Sequence, residues 1–120
     1  MYAHIEGRKI MATKIKMKHI LDSVSELYDV DVSDLKSASR KLKFAIPRQI
    51  FCYVAVDKGH TTMQVGRFLD RDHSTVVHAV RKVKSHYYRP EELDWIDANA
   101  THRHNFTMQK LREGITHGTA

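Results

Sequence analysis

The sequence predicts an all-α fold, a small helical bundle containing a helix-turn-helix. Three observations carry that expectation. Apolar residues recur at helical spacing along most of the chain; Pro47, Gly59, Thr61, Thr62, Asp72 and Ser74 punctuate those runs as helix starts and stops; and the last two strongly patterned segments are separated only by Asp70-Arg71. Two helices joined by so short a turn are the helix-turn-helix layout.

The elements follow in order. Met1 to Thr13 has no convincing periodicity and is expected to be a flexible extension. From Lys14, the residues Ile20, Leu21, Val24, Leu27 and Tyr28 repeat at the spacing of one helix face, with Lys14, Lys16, Lys18 and Asp22 on the rest. Ser33, followed by Asp34 and Leu35, reads as the cap and first turn of a short second helix. From Lys36 to Arg48 there are five basic residues and no acid, so a basic loop is expected there. Pro47 suits the first turn of a helix, where no backbone donor is needed, and Gly59 suits the position after its end, which predicts a third helix over Pro47 to Lys58. Its interior, Ile50 to Val56, is apolar nearly all round, as in the central helix of a core. Thr61 or Thr62 then caps a short helix carrying Met63, Val65, Phe68 and Leu69.

The most informative stretch is Arg71-Asp72-His73-Ser74-Thr75-Val76. Asp72 or Ser74 can accept hydrogen bonds from the free amides of a first helical turn. At about 100° per residue, Val76, Val80, Val83 and Tyr87 share one stripe while Ser74, His78, Arg81 and Ser85 share the opposite one. One face is therefore core and the other wet. The first residues of the second helix of a helix-turn-helix meet base edges in the major groove, and here they are charged or hydrogen-bonding. A capped amphipathic helix on any all-α surface explains the same hexapeptide, so the totals must decide between the two.

The chain has 120 residues, the length of one domain, and twenty Lys and Arg against fourteen Asp and Glu give a net charge of +6 and a pI near 9.6. A polyanionic partner is favoured, nucleic acid before membrane. No apolar run approaches the roughly 18 residues of a membrane span, and no signal-peptide core is present at the N-terminus, so a cytoplasmic, nucleoid-associated protein is expected. Cys52 stands alone among Phe51, Tyr53 and Val54 and reads as a buried apolar residue. After Arg89, a segment with Glu91, Glu92, Asp94 and Asp97 is acidic enough to avoid DNA; Leu93, Trp95 and Ile96 are expected to fold it back onto the domain, and Phe106, Met108, Leu111 and Ile115 suggest another helix. The expected organisation is thus an extension over 1–13, a DNA-binding domain over 14–89 and a helical extension over 90–120.

The run Arg71-Asp72-His73-Ser74-Thr75-Val76-Val77-His78-Ala79, with Tyr28, Val32, Leu35, Arg40, Pro47-Arg48-Gln49 and Val65-Gly66, resembles the C-terminal DNA-binding domain (domain IV) of the bacterial chromosomal replication initiator DnaA, over roughly Ile20 to Ser85. The resemblance implies a Trp-repressor-like helix-turn-helix that binds double-stranded DNA at a TTATCCACA-like box. It implies that Arg71, Asp72, His73 and Ser74 read major-groove edges, that Arg40 enters the minor groove, and that Lys43, Arg48, Gln49 and His78 hold the backbone, with Thr75 completing the DNA-binding set. Residue chemistry agrees, because a carboxylate accepts from cytosine, a hydroxyl suits either base type and arginine favours a narrow minor groove. Two departures stand out. The family usually has more basic residues where this chain has Ser37-Ala38-Ser39, and a glycine pair where it has Leu69-Asp70.

The initiator's ATPase requires a phosphate loop of the form G-x-x-x-x-G-K-[ST]; the glycines at 7, 59, 66, 114 and 118 offer none, so neither ATP nor any other cofactor nor enzymatic activity is expected. The function expected is sequence-specific duplex binding by a regulator of replication initiation or transcription, or by a phage or prophage relative. Two other classes compete with it. A metal-dependent enzyme built on the nine histidines fits poorly, since His73 and His78 are five apart, about 140° round a helix, and no H-E-x-x-H pattern occurs. A protein-interaction module with non-specific DNA affinity is the stronger rival, with the C-terminal extension as the candidate surface for a protein partner.

Overall fold

A computed structural model describes residues 14–118, with side chains through 114. The expected extension over 1–13 lies outside the described residues, as does the side chain of Ile115. Six helices follow one another: α1 (Met17–Tyr28), α2 (Val32–Leu35), α3 (Leu42–Asp57), α4 (Thr62–Leu69), α5 (His73–His86) and α6 (Pro90–Gly118). No strand occurs among the described residues, and no helix there is long and apolar enough to cross a membrane.

Helix α1 buries Ile20, Leu21 and Val24, with Leu27 and Tyr28 half-buried, so its core stripe is the one its spacing predicts. It stops where Asp29 turns left-handed (φ 54°) and the Val30 amide reaches back to the Ser25 carbonyl at 3.1 Å. Short polar side chains tolerate that conformation better than most. Helix α2 is a single turn that begins at Val32, one residue before the expected Ser33 cap, and buries Leu35 completely.

Helix α3 departs from expectation. It begins at Leu42, so Pro47 is its sixth residue rather than its first. The first amides of any helix have no internal partner, and here the initial turn closes through the Phe44 and Ala45 amides, which donate to the Lys41 carbonyl at 3.0 and 2.8 Å. Pro47 therefore removes only the bond to the Lys43 carbonyl, while the turn it interrupts is anchored by Ile46 packing on the core and by burial of the Pro47 ring itself. The basic stretch is consequently not one loop. Residues 36–41 lie outside any helix, whereas Lys43 and Arg48 ride on the opening turns of α3. Further along, Ile50, Phe51, Cys52, Val54 and Ala55 are buried on several sides, which makes α3 the central helix. Burial pushes the Cys52 thiol up to about 12, so it stays an unreactive apolar filler. Gly59 follows at φ +100°, as a position past a helix end requires.

Thr61 caps α4 in a reciprocal box: its hydroxyl accepts from the Gln64 amide at 3.1 Å, and Gln64 Oε1 accepts from the Thr61 amide at 2.9 Å. Val65 and Leu69 face the core while Met63 stays exposed. Helix α5 lays Val76, Ala79 and Val83 against α3 and α4, with Val80 half-buried and Tyr87 just past its end.

The tail is one helix rather than two short pieces. Ile96 and Ala100 of α6 are buried against α1 and Leu93 packs on the core, while Phe106 and Leu111 are exposed and Trp95 is 37% exposed. Polar contacts clasp the pair: the Tyr28 hydroxyl donates to Glu92, the Ser23 hydroxyl to Asn99 at 2.7 Å, and Arg103 donates to Asn99 at 2.8 Å and pairs with Glu26. Between them the rings of His19 and His104 meet edge to face, centroids 5.7 Å apart, with His104 Nδ1 buried and without a hydrogen-bond partner among the described residues.

That histidine pair predicts an acid-sensitive seam. Burial first, then the neighbouring His104 and Lys18, hold the His19 imidazole below its ordinary 6.5; Asp22 pulls the other way, and Lys16 adds a smaller lowering. A depressed folded value means that the stability is present above the unfolded value and is lost as pH falls through the folded one. Thermal melts should accordingly show a Tm that is level above about pH 7 and declines as the pH falls below about 6.5. The His19→Gln variant, neutral throughout, should show a shallower decline; an identical slope in the two proteins would acquit His19.

Candidate nucleic-acid interface

The turn between α4 and α5 is built round a backbone approach that only glycine permits. The Arg71 amide donates to the Gly66 carbonyl at 2.7 Å, and a methyl group at Gly66 would stand 2.6 Å from the Arg71 carbonyl oxygen and 3.4 Å from the His73 nitrogen. Asp70 makes the reversal itself, left-handed at φ 57°. This tight turn sets α5 across α4 and presents its N-terminus to solvent.

Asp72 is the N-cap, and one of its oxygens, Oδ2, accepts from the Ser74 amide at 2.9 Å and from the Ser74 hydroxyl. Those bonds, the hydroxyl's first, hold the Asp72 carboxyl below its usual range. The second oxygen, Oδ1, is left 3.9 Å from His73 Nδ1. Asp72 and His73 are exposed over 67% and 57% of their side chains, and Ser74, Thr75 and His78 are exposed with them. The first turn of α5 is therefore a fixed set of acceptor, imidazole and hydroxyl groups facing outward.

Beside it lies a cleft of about 650 Å³ between the 38–40 loop and α5, whose apolar lining includes the exposed Leu42 and the buried Val76 and Ala79. Arg40 stands on the loop side; Thr75, His78 and Lys82 line the helix side. Lys82 is absent from the residues picked out by sequence, although it falls four residues after His78 and seven after Thr75, a spacing that puts all three on one helical face. Lys43 is exposed outside the cleft, its ammonium 5.0 Å from the Phe44 ring.

Arg48, Gln49 and Arg71 also line the cleft but are half-buried. Arg48 and Gln49 stand a turn and a half inside α3 rather than at its start. The Arg48 fork instead donates to three carbonyls, from Nε to Leu35 at 2.6 Å, from Nη1 to Ser39 at 3.0 Å and from Nη2 to Asp34 at 3.1 Å. Gln49 Oε1 is buried and accepts from nothing among the described residues. Arg71 is half-buried, donating to the Leu69 carbonyl at 3.0 Å and to the Ser37 carbonyl. Burial, and then the charge of Arg71 close by, lowers the pKa of Arg48, and among the described residues neither guanidinium pairs with a carboxylate. Two positive charges with no carboxylate partner among the described residues thus line the cleft. No group of three or more metal-ligating side chains occurs among the described residues.

The sequence profile described as bacterial dnaA protein helix-turn-helix matches residues 17–83, from the start of α1 to the last turn of α5. The chain belongs to this DnaA family. Its similarity extends to the curated chromosomal replication initiator protein DnaA of Bordetella petrii, 34% identical over 111 residues that cover 78% of this chain and 23% of that protein. The DnaA 1 protein of Protochlamydia amoebophila is 32% identical over 81 residues, and the DnaA protein of Deinococcus deserti 31% over 81. This chain covers 18% of each of those two. It therefore spans about a fifth of the length of these relatives, the part that corresponds to the DNA-binding helix-turn-helix of DnaA domain IV.

Proposed function

We propose that the protein binds double-stranded DNA sequence-specifically at DnaA-box-like sites, of the TTATCCACA type, and acts there as a regulator of replication initiation or transcription, without ATPase activity. In this reading Asp72, His73 and Ser74 at the head of α5 read base edges in the major groove, Thr75 and His78 follow along the strand, and Arg40 reaches the adjacent minor groove. The observation that carries it is the cleft between the Arg40 loop and α5. Major and minor grooves are separated by one sugar-phosphate strand, so a protein reading both needs a basic channel for that strand between its two readers. Arg40, His78 and Lys82 line such a channel together with the half-buried Arg48 and Arg71. Lys43, exposed on the first turn of α3, adds a backbone contact.

Selection of bound duplexes from a random pool tests the reading directly. A single preferred box is expected, and on that box His73→Ala and Ser74→Ala should each cost about 1 to 3 kcal/mol, with far less lost on random DNA. Lys43→Ala should weaken both DNAs alike, since a phosphate contact carries no sequence information. Equal losses on both duplexes for the His73 and Ser74 variants would remove those residues from the reading face. An unenriched pool would leave the second reading, a basic module that grips any DNA while the exposed Trp95 and Phe106 of α6 engage a protein.

A further inference from the structure

We infer that Arg48 and Arg71 are positioning residues, which hold the loop carrying Arg40 at a set distance and angle from the reading helix. The inference rests on the duplex-reading function proposed above and deepens it. Residues 36–41 form no regular structure, and Ser37, Ala38 and Ser39 have no large side chain with which to anchor themselves in a core. Such a segment would ordinarily sample many conformations, and an arginine at its tip would enter a narrow groove only after that freedom was lost. Here its backbone is held from beneath. Arg48 donates to the carbonyls of Asp34, Leu35 and Ser39, and Arg71 to that of Ser37, so four of the six carbonyls from 34 to 39 are bound by two forks. Ser39 adjoins Arg40 directly.

The two arginines come from the elements whose relation matters. Arg48 belongs to α3, against which the reading helix packs. Arg71 adjoins the N-cap Asp72, and its other nitrogen is tied to Leu69 at the end of α4. One side chain thus links the turn of the helix-turn-helix to the loop, and the first base-reading residue stands one position away from the link. Lysine cannot replace this function, because its ammonium is a point charge on a flexible stem whereas the guanidinium presents several donors in one plane. Lysine does keep the positive charge, which separates positioning from simple attraction of phosphate.

Arg71→Lys and Arg48→Lys, each with and without Arg40→Ala, test the inference on the selected box with an A·T-rich flank. Arg40→Ala should lower affinity about tenfold in the otherwise unchanged chain and less than about threefold in either lysine background, because an unheld loop no longer places Arg40. The preference for the A·T-rich flank should disappear with it, while the penalty for His73→Ala persists. An undiminished Arg40 penalty in both lysine backgrounds would overturn the inference, as would a new base preference in Arg71→Lys, the mark of a direct reader. A uniform loss on all DNAs, with the His73 penalty lost as well, would mean that the two arginines only maintain the fold. A second measurement needs no DNA and so stands even if no preferred box exists. In the free lysine variants, amides 36–40 should exchange with solvent at least about tenfold faster while those of Phe51 and Val76 are unchanged; unchanged loop exchange would likewise reject the positioning role.

Discussion

Between 50 and 200 mM salt, the complex with duplex DNA is expected to weaken about a thousandfold or more. Each phosphate neutralised by a basic side chain releases condensed counterions, and about five to eight such contacts give a log-log slope of about −5 to −7. Arg40, Lys41, Lys43, Arg81 and Lys82 are all exposed, and Arg48 and Arg71 add charge in the cleft wall with no compensating carboxylate among the described residues. The net charge of +6 understates this concentration, because Glu91, Glu92, Asp94 and Asp97 are gathered on α6, which packs chiefly against α1. Titration of a labelled duplex at a series of salt concentrations measures the slope. A flat response would exclude binding along the phosphate backbone, and Lys43→Ala should reduce the slope by about one contact.

Gly66→Ala should destabilise the protein by about 2 to 3 kcal/mol, near the upper end of overpacking effects. At an ordinary mid-helix position the same change gains about 0.5 to 1 kcal/mol through a stiffer unfolded chain. The clash wins here because the added carbon meets a backbone oxygen at 2.6 Å, which cannot swing aside as the tip of a long side chain can. Relief requires α4 and α5 to separate at their shared turn, breaking the 2.7 Å bond from Arg71 to Gly66 and tilting the head of α5. Thermal melts should show Tm lowered by about 10 °C or more for a domain of this size. The variant that remains folded should also lose discrimination between the preferred box and random DNA. A Tm equal to or above that of the unaltered chain would show that the turn gives way more easily than its geometry implies.

What local chemistry encodes was readable from the chain alone. A cap at Thr61 or Thr62, another at Asp72 or Ser74 and the glycine after α3 each depend on residues within a few positions of one another, and the stripes of α1 and α5 depend on a period of 3.6. The DnaA resemblance drew on the same short-range pattern, Arg71 to Ala79 above all, and the family match over 17–83 agrees with it. Proline misled at Pro47, because its suitability for a first turn is a local preference, and packing of Ile46 carried the helix a turn and a half further upstream.

The roles of the arginines lay beyond any local rule. Arg71 meets a carbonyl 34 residues away and Arg48 meets three that lie 9 to 14 residues away. A carbonyl has no side-chain signature, so nothing in Ser37-Ala38-Ser39 announces that it will be gripped. The same holds for α6, whose apolar residues point to a helix but not to the partner it takes, the α1 seam where His19 meets His104. The amino-acid sequence by itself determined that the chain is helical, where α4 and α5 begin and the chemistry gathered at the head of α5. Only the tertiary structure decided which basic side chains face outward and which are committed to the backbone, because a guanidinium presents several donors in one plane and carbonyls distant in sequence come within its reach only once the chain has folded.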